Sequence, residues 1–133
     1  MVVVDTSVWI DAFNGKKSRE VEILADLIRQ EMDVCLTPTI LQEVLQGLRS
    51  DEDFNRLRYG LGGFNILLCD QVDSAVQAAS LYWDIRKKGV TIRKSNDCLI
   101  AAYAISFSAE ILHRDRDYDI ISRHSALKIF RVD

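Results

Sequence analysis

Five acidic side chains stand at positions where the chain could do chemistry. They are Asp5, Glu43, Asp97, Asp115 and Asp117. Asp5 and Asp115 each follow a short apolar run that predicts a buried strand. Glu43 borders the apolar face of one predicted helix, and Asp97 lies in the first turn of another. In a parallel sheet the carboxyl ends of strands and the following helix N-termini share one edge, so these acids are expected to meet there.

Acids gathered at one edge need a counter-ion. Two carboxylates about 4 Å apart repel each other by about 4 kcal/mol at an effective dielectric constant of 20. A divalent cation removes that cost, and a site built from carboxylate oxygens suits Mg²⁺ or Mn²⁺. Such ions favour phosphate chemistry, in which they orient water and stabilise the leaving oxygen. The acids therefore point to a metal-dependent phosphoryl or phosphodiester enzyme.

Taken alone, each acid also has an explanation that involves no metal. Asp5 would cap the helix that follows it, and Glu43 would be a solvated residue at a helix boundary. Asp97 would complement the helix dipole, which favours an ionised carboxylate there. Asp115 and Asp117 would belong to a solvated turn. It is their joint placement that favours a metal site.

The elements that position these acids alternate between short apolar runs and longer helical patterns, which indicates an α/β fold with a parallel sheet. Thr37 and Pro38 mark a helix start, Ser95 is expected to cap another helix, and Gly89 is expected to close a third. Strands are predicted at 2–4, 34–36, 64–68 and 110–112, with a possible edge strand at 127–132. Helices are predicted at 6–13, 18–30, 37–48, 51–59, 70–88 and 95–107, followed by a loop and short helix at 115–123.

Composition narrows the class of protein. The 133 residues suffice for a single domain, 1–133, and carry 20 acidic and 17 basic side chains for a net charge of −3. This balance disfavours a protein that holds nucleic acid through a broad basic surface, but it leaves a metal-dependent nuclease open. No apolar run approaches the roughly 18 to 20 residues of a membrane span. With Cys35, Cys69 and Cys98 too widely spaced for a disulfide framework or zinc site, a cytoplasmic protein with reduced cysteines is expected.

Four segments together resemble the PIN domain, and within it the VapC-type toxins of toxin–antitoxin pairs. Their key acids are separated by 38, 54 and 18 residues, and the resemblance covers essentially the whole chain. The segments are 5–11 (DTSVWID), 41–45 (LQEVL), 96–102 (NDCLIAA) and 113–119 (HRDRDYD).

The resemblance implies a three-layer sandwich, with a central, mostly parallel sheet of four to five strands flanked by helices. It implies a Mg²⁺- or Mn²⁺-dependent endoribonuclease that hydrolyses RNA phosphodiesters and leaves a 5′-phosphate, together with a cognate antitoxin and a homodimer. The implied catalytic and metal-binding acids are Asp5, Glu43, Asp97 and Asp115, with Asp117 as a further metal ligand. Thr6 or Ser7 matches a small polar residue that contacts metal, water or substrate.

One departure from the family pattern lies just before the last acids. His113 and Arg114 stand where many relatives have a threonine ahead of the aspartate. This difference puts a hydroxyl role at that position in doubt and leaves the acids unaffected.

Basic and apolar residues near the acids predict where RNA and a partner would bind. Arg93, Arg114 and Arg116 flank the acids, and short basic patches of this kind would offset repulsion of the phosphate backbone. The apolar segment 8–13, with the region 54–61, would form a groove for a helical partner.

Three rival interpretations remain at this stage. A receiver-like phosphoacceptor signalling domain would need an acidic pair after the first strand, where only Asp5 is found. A phosphatase with an aspartyl nucleophile would need a second acid at the position of Ser7. A catalytically silent PIN-like RNA-binding module would keep the fold and lose the cleavage.

Overall fold

A five-stranded sheet, parallel throughout, forms the middle of the fold in the computed structural model, which describes residues 1–131. The strand order is β3-β2-β1-β4-β5, so that β1 and its neighbours β2 and β4 are central. The strands are β1 (Val2–Val4), β2 (Val34–Leu36), β3 (Asn65–Ile66), β4 (Glu110–Leu112) and β5 (Lys128–Ile129).

Helices flank the sheet and connect successive strands, as the predicted α/β sandwich requires. Within residues 1–131 none of them is both long enough and apolar enough to cross a membrane. The helices are α1 (Thr6–Phe13), α2 (Arg19–Arg29), α3 (Pro38–Gln46), α4 (Asp51–Leu61), α5 (Gln71–Lys87), α6 (Ser95–Ser106) and α7 (Arg116–Arg123).

The strand order separates this fold from that of a receiver domain. Receiver domains have the flavodoxin-like order 2-1-3-4-5, in which the third strand lies beside the first. Here β3 lies outside β2, and β4 takes the place beside β1. The receiver-like alternative is therefore excluded.

The core is built from the non-alternating apolar strands that the sequence predicts. All three residues of β1 and of β2 are buried, as are the last two of β4. Strands covered by helices on both faces have this continuous apolar composition. Cys35 and Cys98 belong to the same core, and all three cysteines are free.

Local signals place most helix ends correctly. The Thr37 hydroxyl accepts a hydrogen bond from the backbone N–H of Ile40 at 3.2 Å, and Pro38 is the first residue of α3. Gly89, just beyond α5, adopts a φ of +83°, a conformation that glycine takes without steric cost. The predicted cap at Ser95 is wrong. Lys94, which is extended, is the N-cap of α6, and Ser95 is the first residue of the helix.

Several elements differ in extent from the predictions, and α3, for example, ends at Gln46 instead of 48. α4 continues to Leu61 instead of ending at 59, because the Leu61 side chain is buried in the core. β3 is shorter than predicted, since it pairs only with β2 at the sheet edge. β5 confirms the predicted edge strand over Lys128–Ile129, while residue 132 of that prediction lies outside the described residues.

Candidate active site

Three carboxylates converge at the carboxyl edge of the sheet. Asp97 lies in the first turn of α6, Asp115 is the N-cap of α7, and Asp117 is the second residue of that helix. One oxygen from each of the three lies within 4.8 Å of the others. Asp97 and Asp117 are only 4% and 1% exposed. The predicted convergence of strand-end and helix-start acids is thus present in the fold.

Asp5 joins this group through the hydroxyl of Tyr118. The hydroxyl oxygen lies 2.8 Å from Oδ1 of Asp5 and 3.2 Å from Oδ1 of Asp97. The Ser7 hydroxyl donates to the other Asp5 oxygen, Oδ2, at 3.1 Å. Asp5 is therefore held beside Asp97 by two side-chain hydroxyls, directly after β1.

Glu43 is linked to the same region by one intermediate residue. The Thr6 hydroxyl donates to Oε1 of Glu43 at 2.7 Å, and Thr6 follows Asp5 in the chain. Glu43 is half-buried on α3, at the boundary position that its helical pattern predicts. Among the described residues, no direct hydrogen bond joins it to the other acids. We call Asp5, Asp97, Asp115 and Asp117 the acidic cluster, and Glu43 lies at its edge.

Burial changes the protonation of the acidic cluster. Burial, with the added charges of Asp5 and Asp115, raises the pKa of Asp97 to about 7. Burial likewise raises the pKa of Asp5, although Tyr118 and Ser7 donate hydrogen bonds to it. The expectation that the helix N-terminus keeps Asp97 ionised is therefore wrong for the protein without metal, because desolvation and like charges outweigh the helix dipole.

Asp115 responds in the opposite direction. Burial acts to raise its pKa, but the Asp117 backbone N–H and the charges of Lys94 and Arg93 outweigh it, so the pKa lies below its usual value. Oδ1 of Asp115 accepts the hydrogen bond from the Asp117 N–H at 3.0 Å. Asp115 thus stays ionised more easily than Asp5 and Asp97, whose pKa values are raised.

Two basic residues of the loop before α6 neutralise part of the cluster. Arg93 lies 3.5 Å from Asp115 and 3.7 Å from Asp117 through its guanidinium nitrogens, and its backbone N–H donates to Oδ2 of Asp117 at 3.1 Å. Lys94 Nζ lies 3.4 Å from Oδ2 of Asp115. Both side chains are more than half exposed, so they lie at the mouth of the cluster, as the sequence predicts for Arg93.

The other two predicted basic contacts lie elsewhere around the site. The Arg114 guanidinium pairs with Asp11 on α1, and so connects the loop after β4 to that helix. Arg116 is exposed at the first position of α7. Arg93 is thus the predicted arginine that contacts the acidic cluster directly.

The donor set fits a divalent cation. Oδ2 of Asp97 is buried and has no hydrogen-bond partner within the described chain, which is a costly arrangement unless a ligand binds it. The cluster offers only oxygen ligands, the type that Mg²⁺ and Mn²⁺ prefer. Asp97, Asp115 and Asp117 would hold the ion, with Asp5 beside them.

Two residues near the cluster were not among the predicted site residues. From the sequence alone, Tyr118 could be either a core aromatic or one that stacks on a base. Its ring is buried, as expected of a core aromatic, and its hydroxyl contacts two acids. Lys94 is visible in the sequence only as part of a basic pair. The sequence feature that could have indicated a site role for Tyr118 is its position in the helix, because it lies on the same buried face of α7 as Asp117 and Ile121.

Comparisons with known proteins identify relatives of the chain. The family model described as PIN domain matches residues 2–124. The chain is 35% identical over 129 residues to the VapC ribonuclease Mb1587 of Mycobacterium bovis and to the ribonuclease VapC11 of Mycobacterium tuberculosis, and each alignment covers 96% of both chains.

Solved structures share the fold. A crystal structure of VapBC2 from Rickettsia felis, bound to a DNA fragment from its promoter, superposes with a TM-score of 0.76 at 19% identity over the full length of both chains. The structure of VapBC-1 from nontypeable Haemophilus influenzae superposes with a TM-score of 0.72 at 17% identity over 98% of this chain and 97% of that one. The family model and the curated relatives show that the chain belongs to the PIN domain family, in which its 35% identical mycobacterial relatives are VapC ribonucleases.

Proposed function

We propose that this protein is a divalent-metal-dependent endoribonuclease and the toxin of a VapBC-like toxin–antitoxin pair. The observation that carries the proposal is the convergence of Asp97, Asp115 and Asp117 within 4.8 Å, with a buried Asp97 oxygen that lacks a partner. Membership of the PIN domain family and the ribonuclease names of its relatives support the choice of RNA as substrate.

Each side chain of the site has a distinct part in the proposed reaction. A Mg²⁺ or Mn²⁺ ion held by the acidic cluster would activate a water molecule and neutralise charge on the phosphate. Ser7 and Tyr118 fix the carboxylate of Asp5, and Thr6, the next residue in the chain, fixes that of Glu43.

Arg93 and Lys94 supply positive charge at the mouth of the cluster. Their exposed side chains are placed to bind a phosphate of the RNA backbone, and Arg116 extends the basic surface along α7. Affinity for RNA is then local to the site, in keeping with the net charge of −3. Arg114 contributes indirectly, because its guanidinium is paired with Asp11.

An apolar groove between α1, α2 and α4 is our proposed antitoxin site. It encloses about 470 Å³, and its walls include Trp9, Phe13, Leu24 and Leu57. The groove coincides with the segments 8–13 and 54–61 that the sequence predicts as a partner surface. A helix with one apolar face would fill it.

The groove assignment is tested by co-purification with a tagged antitoxin from the adjacent reading frame. Leu57→Glu introduces a charge into the wall of the groove and is expected to abolish co-purification while RNA cleavage persists. Gln46→Glu is the control, because it adds the same charge at an exposed position of α3 that lies outside both segments and does not line the groove. Retention of the antitoxin by Leu57→Glu would contradict the assignment.

A stripe of exposed apolar side chains on α5 supports a homodimer. Val72, Val76 and Trp83 lie along one side of the helix and are more than half exposed, and Leu68 precedes them. Apolar surface of this extent is costly in a monomer, and a second copy of the chain would bury it.

RNA cleavage by the purified protein tests the proposed activity. We expect cleavage with Mg²⁺ or Mn²⁺, none in EDTA, and a loss of at least a hundredfold in Asp5→Asn and Asp97→Asn. Asp73→Asn is the control, since this aspartate is exposed in the first turn of α5. Cleavage that survives both site substitutions would refute the site, and RNA binding without cleavage would indicate a catalytically silent module.

A further inference from the structure

The hydroxyl of Tyr118 is a common hydrogen-bond donor to acids of two distant elements, Asp5 after β1 and Asp97 in α6. We infer that Tyr118 is a positioning residue of the metal site: it binds Oδ1 of both Asp5 and Asp97 and leaves Oδ2 of Asp97 free for the ion. The inference rests on the proposed metal-dependent function and adds a residue to it.

The proton count of this arrangement constrains the two carboxylates. A phenol has one proton to donate, and an ionised carboxylate can only accept. The short bond of 2.8 Å goes to Asp5 and the longer one of 3.2 Å to Asp97. The single phenol proton is therefore directed mainly to Asp5 and shared with Asp97, so one oxygen atom fixes the positions of both carboxylates.

The orientation of the tyrosine ring is itself fixed. Tyr118 is 0% exposed, and its ring lies against that of His113 with centroids 5.1 Å apart. His113 accepts a hydrogen bond from the Asp115 N–H through Nδ1 at 3.0 Å, and its Nε2 lies 3.3 Å from Asp119. The helix that carries Asp115 thus also orients the hydroxyl that holds the other two acids.

Simple core packing is the competing explanation for Tyr118, and it makes a different prediction. Phenylalanine has the same ring and would fill the same space, so Tyr118→Phe would be silent if packing were the only role. Residues that orient metal ligands behave differently, because their loss typically weakens metal binding or activity by about 10- to 100-fold. The comparison of tyrosine with phenylalanine therefore isolates the hydroxyl.

The test is a titration with Mn²⁺ in which free ion is measured by electron paramagnetic resonance. We expect the dissociation constant of Tyr118→Phe to be at least about tenfold that of the wild type. Tyr103→Phe is the matched control, since Tyr103 is also buried but lies nearly two turns further along α6 than Asp97. It is expected to bind Mn²⁺ as the wild type does.

RNA cleavage gives a readout that a packing defect would not reproduce. In Tyr118→Phe the Mn²⁺ concentration for half-maximal cleavage should rise by the same factor as the dissociation constant. Cleavage at saturating Mn²⁺ should return to within a few-fold of the wild type, because the ion itself then orders the ligands. A loss of cleavage that saturating Mn²⁺ does not restore would contradict the inference.

A measurement on the unaltered protein keeps the inference testable if the variant does not fold. Mg²⁺ bound to Asp97 changes the charge beside the Tyr118 hydroxyl, so a tyrosine difference absorption spectrum should grow in step with Mg²⁺ binding. Absence of that spectrum would overturn the inference. Equal Mn²⁺ affinity in wild type and Tyr118→Phe would overturn the inference alone, whereas a wild type that binds no Mn²⁺ would overturn the metal-dependent function as well.

Discussion

Replacing Asp97 by asparagine is expected to stabilise the protein in the absence of metal, although it removes a proposed catalytic group. In the folded protein the pKa of Asp97 rises from 3.8 to about 7. At about 1.36 kcal/mol per pH unit, ionising Asp97 in the fold costs about 4 kcal/mol more than in the unfolded chain. Asparagine is neutral and keeps a similar shape, so it avoids this cost.

The sign and pH window follow from linkage. Between about pH 4 and 7 the folded state holds a proton that the unfolded state has lost, so the stability of the wild type falls as the pH rises. The advantage of Asp97→Asn should be absent at pH 4 and complete by pH 8. The pKa of about 7 already includes any interaction of the ionised carboxylate with the helix dipole, so the net gain stays at about 4 kcal/mol.

Urea unfolding in EDTA at several pH values measures this gain, which also corresponds to a rise of roughly 14 °C in Tm. The control is Asp73→Asn, because Asp73 is the third residue of α5 as Asp97 is of α6, but it is exposed. It reports the dipole contribution without the burial. Equal stability of Asp97→Asn and wild type at pH 8, or a gain that does not vary with pH, would refute the reasoning.

Three further predictions concern other parts of the molecule. Thr6→Val removes the hydroxyl that holds Glu43 at 2.7 Å and should lower RNA cleavage by about tenfold with little change in Tm; unchanged cleavage would contradict the role of Glu43. Trp83→Glu places a charge in the apolar stripe of α5 and should convert a dimer into a monomer in sedimentation velocity, and a persistent dimer would exclude this interface. Mn²⁺ at 100 times its dissociation constant should raise the free energy of unfolding by about 2.7 kcal/mol. Asp117→Asn should remove most of that gain, and an equal gain in the variant would place the ion elsewhere.

The arrangement of the acids could be predicted from sequence because it depends on topology. An acid at the end of a parallel strand and an acid in the first turn of a following helix share one edge of the sheet in every α/β fold of this type. Asp5, Asp97 and Asp115 satisfy that rule. The family resemblance supplied the same acids independently.

The contacts and protonation states within the site could not be predicted, because they depend on distances between remote residues. The hydroxyl of Tyr118 meets an acid 113 positions away and another 21 positions away, while its helical spacing with Ile121 is that of any core aromatic. The protonation of Asp97 likewise follows from burial beside Asp5 and Asp115. The helix dipole, which is a local effect, would by itself lower the pKa of Asp97.

The distance along the chain between Asp5 and Tyr118 has a consequence for synthesis of the protein. The acid that follows the first strand reaches its donor only when α7, near the other end of the chain, has been made and has packed. Pairings of such high sequence separation form late and together in folding. A chain still emerging from the ribosome therefore has the first acid without the last ones, and its acidic cluster is complete only after α7 has been made and has packed.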